Sequence, residues 1–109
     1  MTSTTGLTDQ DFRVKSDEAL QQARRALLPL ADEKGFEVEF SGDTLNLLFE
    51  EPSEARFVVS PNAPVKQIWV SAMNRGYRLA WTPESNTFAL NGETLTAMLE
   101  RLAREFLSA

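Results

Sequence analysis

The chain contains no cysteine and no histidine. Without them there is no disulfide framework and no zinc site built from the usual sulfur and nitrogen ligands. A thiolate nucleophile is excluded, and so is a serine activated by an imidazole base. Any metal must be held through oxygen, which favours hard cations such as calcium, magnesium, manganese or iron. Long apolar runs are also missing, and no segment approaches the roughly 20 apolar residues that a spanning helix needs. The few glycines are scattered, so no glycine-rich phosphate loop is present. Before Arg13 there is neither a basic residue nor an apolar stretch, so no secretory signal or transit peptide is recognised.

What is there suits one globular domain. A chain of 109 residues, 42% of them hydrophobic, can build one core and is too short for two. The expected division is a flexible N-terminal tail over 1–7 and a single domain over 8–109. Net charge is −5, and it is unevenly placed. Residues 1–31 balance, whereas residues 32–54 carry Asp32, Glu33, Glu37, Glu39, Asp43, Glu50, Glu51 and Glu54 against Lys34 alone. The remainder is slightly basic. An acidic flank of this kind repels nucleic acid and steers a partner that bears a basic patch.

Thr8 is a good helix N-cap, followed by Asp9 and Asp11 where the helix dipole favours negative charge. Phe12, Ser16, Ala19, Ala23, Leu27 and Leu30 then recur at helical spacing, with Leu20 widening the stripe. Pro29 predicts a kink or an end near Leu28, with Gly35 finishing the turn that follows. Phe36 to Phe40 alternates, with Phe36, Val38 and Phe40 inward and Glu37 and Glu39 outward. Ser41-Gly42-Asp43 reads as a tight turn. Thr44 to Phe49 points Leu45, Leu47 and Phe49 inward and leaves Asn46 and Leu48 outside. A third strand is expected over Arg56–Val59, and Ser60–Pro64 as a connection outside the sheet, because proline cannot donate to a ladder. Leu95, Met98, Leu99, Leu102 and Phe106 mark a last helix, with Asn91 as its expected cap.

The stretch Pro64-Val65-Lys66-Gln67-Ile68-Trp69-Val70-Ser71 organises the rest. Period-two alternation puts Ile68 and Val70 on a core face and Gln67, Trp69 and Ser71 on the other. A tryptophan among polar neighbours on a wet face suggests a binding surface, since tryptophan and arginine anchor interfaces more often than other residues. Past Met73-Asn74-Arg75 the chain turns into Gly76–Trp81, where Tyr77, Leu79 and Trp81 face inward. Arg78 faces outward, and antiparallel pairing brings it near Trp69. Strands in an unbroken run with one helix at each end predict an α+β, two-layer α-β sandwich: an antiparallel sheet of five to six strands with both helices on one face.

Pro64-x-x-Gln67-Ile68-Trp69-Val70-Ser71, followed after four residues by Gly76-Tyr77-Arg78-Leu79, resembles the signature strands of the frataxin family, including its bacterial CyaY-type members. The order of elements agrees from Phe12 to about Phe106. The resemblance implies a cytoplasmic, monomeric accessory protein of iron-sulfur cluster assembly. Its implied partners are the cysteine desulfurase and the scaffold protein, with no nucleic acid and no membrane. Gln67, Trp69, Ser71, Arg78, Asn46 and Leu48 are the partner-binding candidates. The family's acidic ridge, associated with weak iron binding, is thinned here: Arg24, Arg25, Leu28 and Pro29 stand in the last helical turns where acids are expected. Asp32, Glu33, Glu37 and Glu39 remain as the metal candidates, and iron (ferrous or ferric), weakly held, as the ligand. With no nucleophile-base pair available, no turnover chemistry is expected. A ferroxidase would need a denser carboxylate cluster. The alternative reading is a small acidic protein-binding module or secretion-type chaperone with no metal role, which would be expected to dimerise.

Overall fold

A computed structural model describes residues 7–108. Residues 1–6 of the expected tail lie outside the described residues, while Leu7 is half-buried against the core. Helix α1 spans Asp9–Lys34, and the Thr8 hydroxyl accepts the Asp11 amide at 3.0 Å. Seven strands follow: β1 Glu37–Ser41, β2 Thr44–Phe49, β3 Ala55–Asn62, β4 Gln67–Ala72, β5 Arg75–Thr82, β6 Thr87–Leu90 and β7 Glu93–Thr94. Helix α2, Leu95–Leu107, closes the chain. Every strand pairs antiparallel with its sequence neighbour, so the sheet order is the chain order. One sheet face carries α1 and α2, and the other faces water.

The core lies between these two layers. Helix α1 contributes Phe12, Ala19, Leu20, Ala23, Leu27, Leu30 and Ala31, and α2 contributes Leu95, Met98, Leu99, Leu102 and Ala103. From the sheet come Val38, Leu45, Leu47, Phe49, Phe57, Val59, Ile68, Val70, Leu79 and Phe88. Phe49 gathers an aromatic cluster, with Phe36 at 4.6 Å, Phe57 at 4.8 Å and Phe106 at 4.8 Å between ring centroids. Ser16, the buried polar side chain on α1, donates its hydroxyl to the Arg13 carbonyl.

Four local expectations are corrected. Of the kink or end expected near Leu28, the end does not occur: helix α1 runs through Pro29 to Lys34. A proline inside a helix costs about 3 kcal/mol, offset here by burial of Leu30 and Ala31 in the final turn. Gly35, at φ 81°, then caps that turn through its N–H to the Ala31 carbonyl. Second, β3 continues through Ser60 and Pro61 to Asn62, and Pro61 faces Ile68 across the β3-β4 pair. This is tolerated because β2 reaches only to Val59, opposite Leu45, so beyond Val59 the strand has one neighbour and behaves as an edge. Third, Asn91 does not cap α2. Asn91 and Gly92, at φ 52° and 84°, form the two-residue turn between β6 and β7, which suits the Asn-Gly preference of a type I′ hairpin. Thr94 is the cap, accepting the Ala97 amide at 3.3 Å. Fourth, that hairpin is why the sheet has seven strands rather than five to six.

Candidate docking face and acidic edge

The solvent-facing side of the sheet is built by register. Trp69 on β4 stands opposite Ser60 on β3 and Arg78 on β5. In the next row Ser71 stands between Val58 and Gly76, and Val58 is opposite Asn46, which is opposite Glu39. A third row runs Glu37, Leu48, Arg56. The parity expected from the sequence therefore holds across β1 to β5. Ile68 and Val70 are buried, whereas Trp69, Ser71 and Arg78 are exposed and Gln67, Asn46 and Leu48 half-exposed.

Trp69 is fixed on both sides. Its indole Nε1–H donates to Gln67 Oε1 at 2.9 Å, and the Arg78 guanidinium lies 4.9 Å from the ring centroid. Gln67 is two positions along the same strand, on the same face, while Arg78 is the direct cross-strand partner, so both contacts follow from the pleat. The ring remains 36% exposed. Val58, Ser60, Trp69, Ser71, Gly76 and Arg78 line a depression on this face. Gly76 keeps it open, since the position beside Ser71 projects no side chain. An indole held rigid by a cation and an amide, with small polar neighbours, is suited to insertion into a partner's pocket.

Two residues of this face escaped the sequence reading. Ser60 borders Trp69, although the proline that follows it marks the stretch as a connection on sequence grounds. Arg56, exposed next to Leu48, puts a positive charge among acids: with Glu37, Glu50 and Glu54 it lines a second depression at the sheet's acidic end. The signal for Arg56 was its parity with Val58.

The four metal candidates do not come together. Asp32 and Glu33 are exposed in the last turn of α1, in the helix layer. Glu37 and Glu39 are exposed on β1 and project from the opposite sheet face, beside Leu48 and Asn46. Among the described residues no group of three or more acidic side chains is placed to hold a metal ion.

The family model of the frataxin-like domain matches residues 5–109. A curated relative from Janthinobacterium sp. (strain Marseille), named iron-sulfur cluster assembly protein CyaY, is 26% identical over 98 residues, covering 88% of this chain and 87% of the relative. A protein of the same name from Cupriavidus metallidurans is 30% identical over 73 residues, covering 65% and 64% of the two chains. Among solved structures, a frataxin from Psychromonas ingrahamii superposes with a TM-score of 0.65 at 16% identity, covering 91% of this chain and 90% of that one.

Proposed function

This chain belongs to the frataxin-like family, and on that premise we propose that it is an accessory regulator of iron-sulfur cluster assembly in the cytoplasm. Support comes from two relatives that are named iron-sulfur cluster assembly proteins. The chain works by docking, as a monomer, onto the complex of cysteine desulfurase and scaffold protein. The observation that carries the reading is Trp69: a large aromatic ring left in water on the sheet face, held by Gln67 and Arg78. A ring already ordered loses little conformational freedom on binding. Ser71, Asn46 and Leu48 extend the contact surface towards the acidic edge, which steers a basic partner into register. Catalysis is left to the partner, since this chain offers no imidazole or thiol for proton or group transfer.

Iron enters this reading only as a weakly held ion. Glu37 and Glu39 on β1, and separately Asp32 and Glu33 on α1, attract cations without forming one shared site.

The test is a pull-down of the host's cysteine desulfurase, with and without its scaffold protein, on the immobilised chain. Retention that survives washing and is lost in Trp69→Ala is the expected result. Retention unchanged by that substitution moves the docking surface elsewhere, and no retention in either condition overturns the role. A sizing column that returns a dimer would favour the chaperone-like alternative.

A further inference from the structure

Strand order leaves β1 at one edge of the sheet, and charge is the one usual device that guards this edge among the described residues. At the opposite edge β7 is two residues long, and its Glu93 is held by Arg101 of α2. By contrast, β1 has five residues, no proline and no bulge in its register with β2. Its turn decides which backbone groups are free. Ser41 and Thr44 flank the two-residue loop Gly42-Asp43, with Gly42 at φ 65°, and such a turn bonds the first residue's carbonyl to the fourth residue's N–H. Antiparallel pairs alternate between bonded and non-bonded. Glu39-Asn46 and Glu37-Leu48 are thus bonded pairs, while Val38 and Phe40 direct N–H and C=O away from β2, to the side of the strand that has no neighbouring strand. No further backbone hydrogen bond reaches residues 37–41 among the described residues.

We propose that the free edge of β1 accepts an extended segment that carries Lys or Arg at alternate positions, which adds to the sheet as an eighth strand. The backbone of Val38 and Phe40 supplies the ladder, and Glu37 and Glu39 select the charge. Cross-strand neighbours on one face sit about 4.5–5.5 Å apart, so a basic residue opposite each glutamate forms an ion pair, with an apolar residue between them beside Val38. The same glutamates disfavour a second copy of this chain. Pairing two β1 edges through Val38 and Phe40 sets Glu39 against Glu39, or Glu37 against Glu39, and like charges directly opposite are destabilising. Charge therefore closes this edge to itself while leaving it open to a basic strand. Trp69 lies three strands away, roughly 14 Å at the usual strand spacing, so this inference does not depend on the docking role of the tryptophan.

The probe is a short capped peptide of alternating lysine and valine, added to the full chain and followed by amide NMR and hydrogen exchange. Binding with slowed exchange at Val38 and Phe40 is expected. The same peptide N-methylated on the residues whose N–H faces β1 should lose it, and a glutamate-valine peptide should not bind. Reversing the charges in the double variant Glu37→Lys, Glu39→Lys should weaken the lysine peptide about tenfold or more. Equal binding of the N-methylated peptide would reduce the effect to surface charge and overturn strand addition. Absence of binding, or self-association of the unliganded chain through β1, would overturn it equally.

Discussion

Ile68 and Trp69 are neighbours in the chain and stand in opposite environments, one fully buried and the other 36% exposed. A strand produces this division from alternation alone, so two adjacent truncations should separate stability from binding. Ile68→Ala removes apolar atoms from a closed core, and we expect a loss of about 2–5 kcal/mol, read as a lower melting temperature or denaturant midpoint. A variant that melts like the parent would show that the β4 register is wrong. Trp69→Ala opens no core cavity, but it removes the pairing with Arg78 and the bond to Gln67. A cross-strand pair of this kind is worth about 0.2–1 kcal/mol, so the fold should survive with a small shift. Partner affinity should fall by about 2 kcal/mol or more, as for a central interface tryptophan. Calorimetry on both variants checks the pair. The inverse result, a large stability loss with unchanged binding, would reverse the assignment of the two faces.

At the scale of elements, what was legible depended on whether one rule acted alone. The α1 stripe from Phe12 to Leu30, the alternation of β1, β2 and β4, and the spacing of α2 are each a single periodic signal, and each is found in the structure. The misses sit where a local rule competes with tertiary context. Pro29 and Pro61 break elements in isolation, yet helix-end burial overrides the first and a missing β2 neighbour permits the second. Asn91 has two propensities, cap and turn, and only the Gly after it decides for the turn. On the candidate site, parity revealed Trp69 and Arg78 but not Ser60, which depended on the same proline. The β6-β7 hairpin also sets up a titratable contact. Arg101 donates to Glu93 through Nε at 2.8 Å and a terminal nitrogen at 2.9 Å, and to Glu105 at 3.0 Å. The hydrogen bonds from Arg101 hold the Glu93 carboxyl below its ordinary pKa, outweighing a small burial effect. A carboxyl depressed in the folded state stabilises that state above its unfolded pKa, and the contribution is lost as pH falls through the folded value. Glu93→Gln should therefore lower the melting temperature slightly at neutral pH and make no difference at pH values below both. If the gap between variant and parent persists or widens in acid, the pair does not anchor β7 to α2 by charge.

For the whole molecule, the decisive feature is that acidic charge is concentrated in residues 32–54 yet divided between two layers. Eight acids against Lys34 alone draw cations to this stretch at low ionic strength. Attraction is not coordination, however. Asp32 and Glu33 belong to the helix layer, Glu37 and Glu39 project from the other sheet face, and the exposed Arg25 and half-exposed Arg24 add opposing charge on α1. Exposed carboxylates keep their hydration, and beyond a Debye length of about 8 Å at physiological salt their fields are screened. Iron binding should then be weak, because the carboxylates do not converge to replace the ion's water. It should also be shared with calcium or manganese and fade as salt is raised. Anaerobic calorimetric titration with ferrous iron, at low and at physiological salt, measures this directly. The double variant Glu37→Gln, Glu39→Gln should lose the β1 share of the heat and keep the α1 share, because the two pairs of acids act separately. A tight site, insensitive to salt and intact in that variant, would mean that ligands converge somewhere other than these four carboxylates.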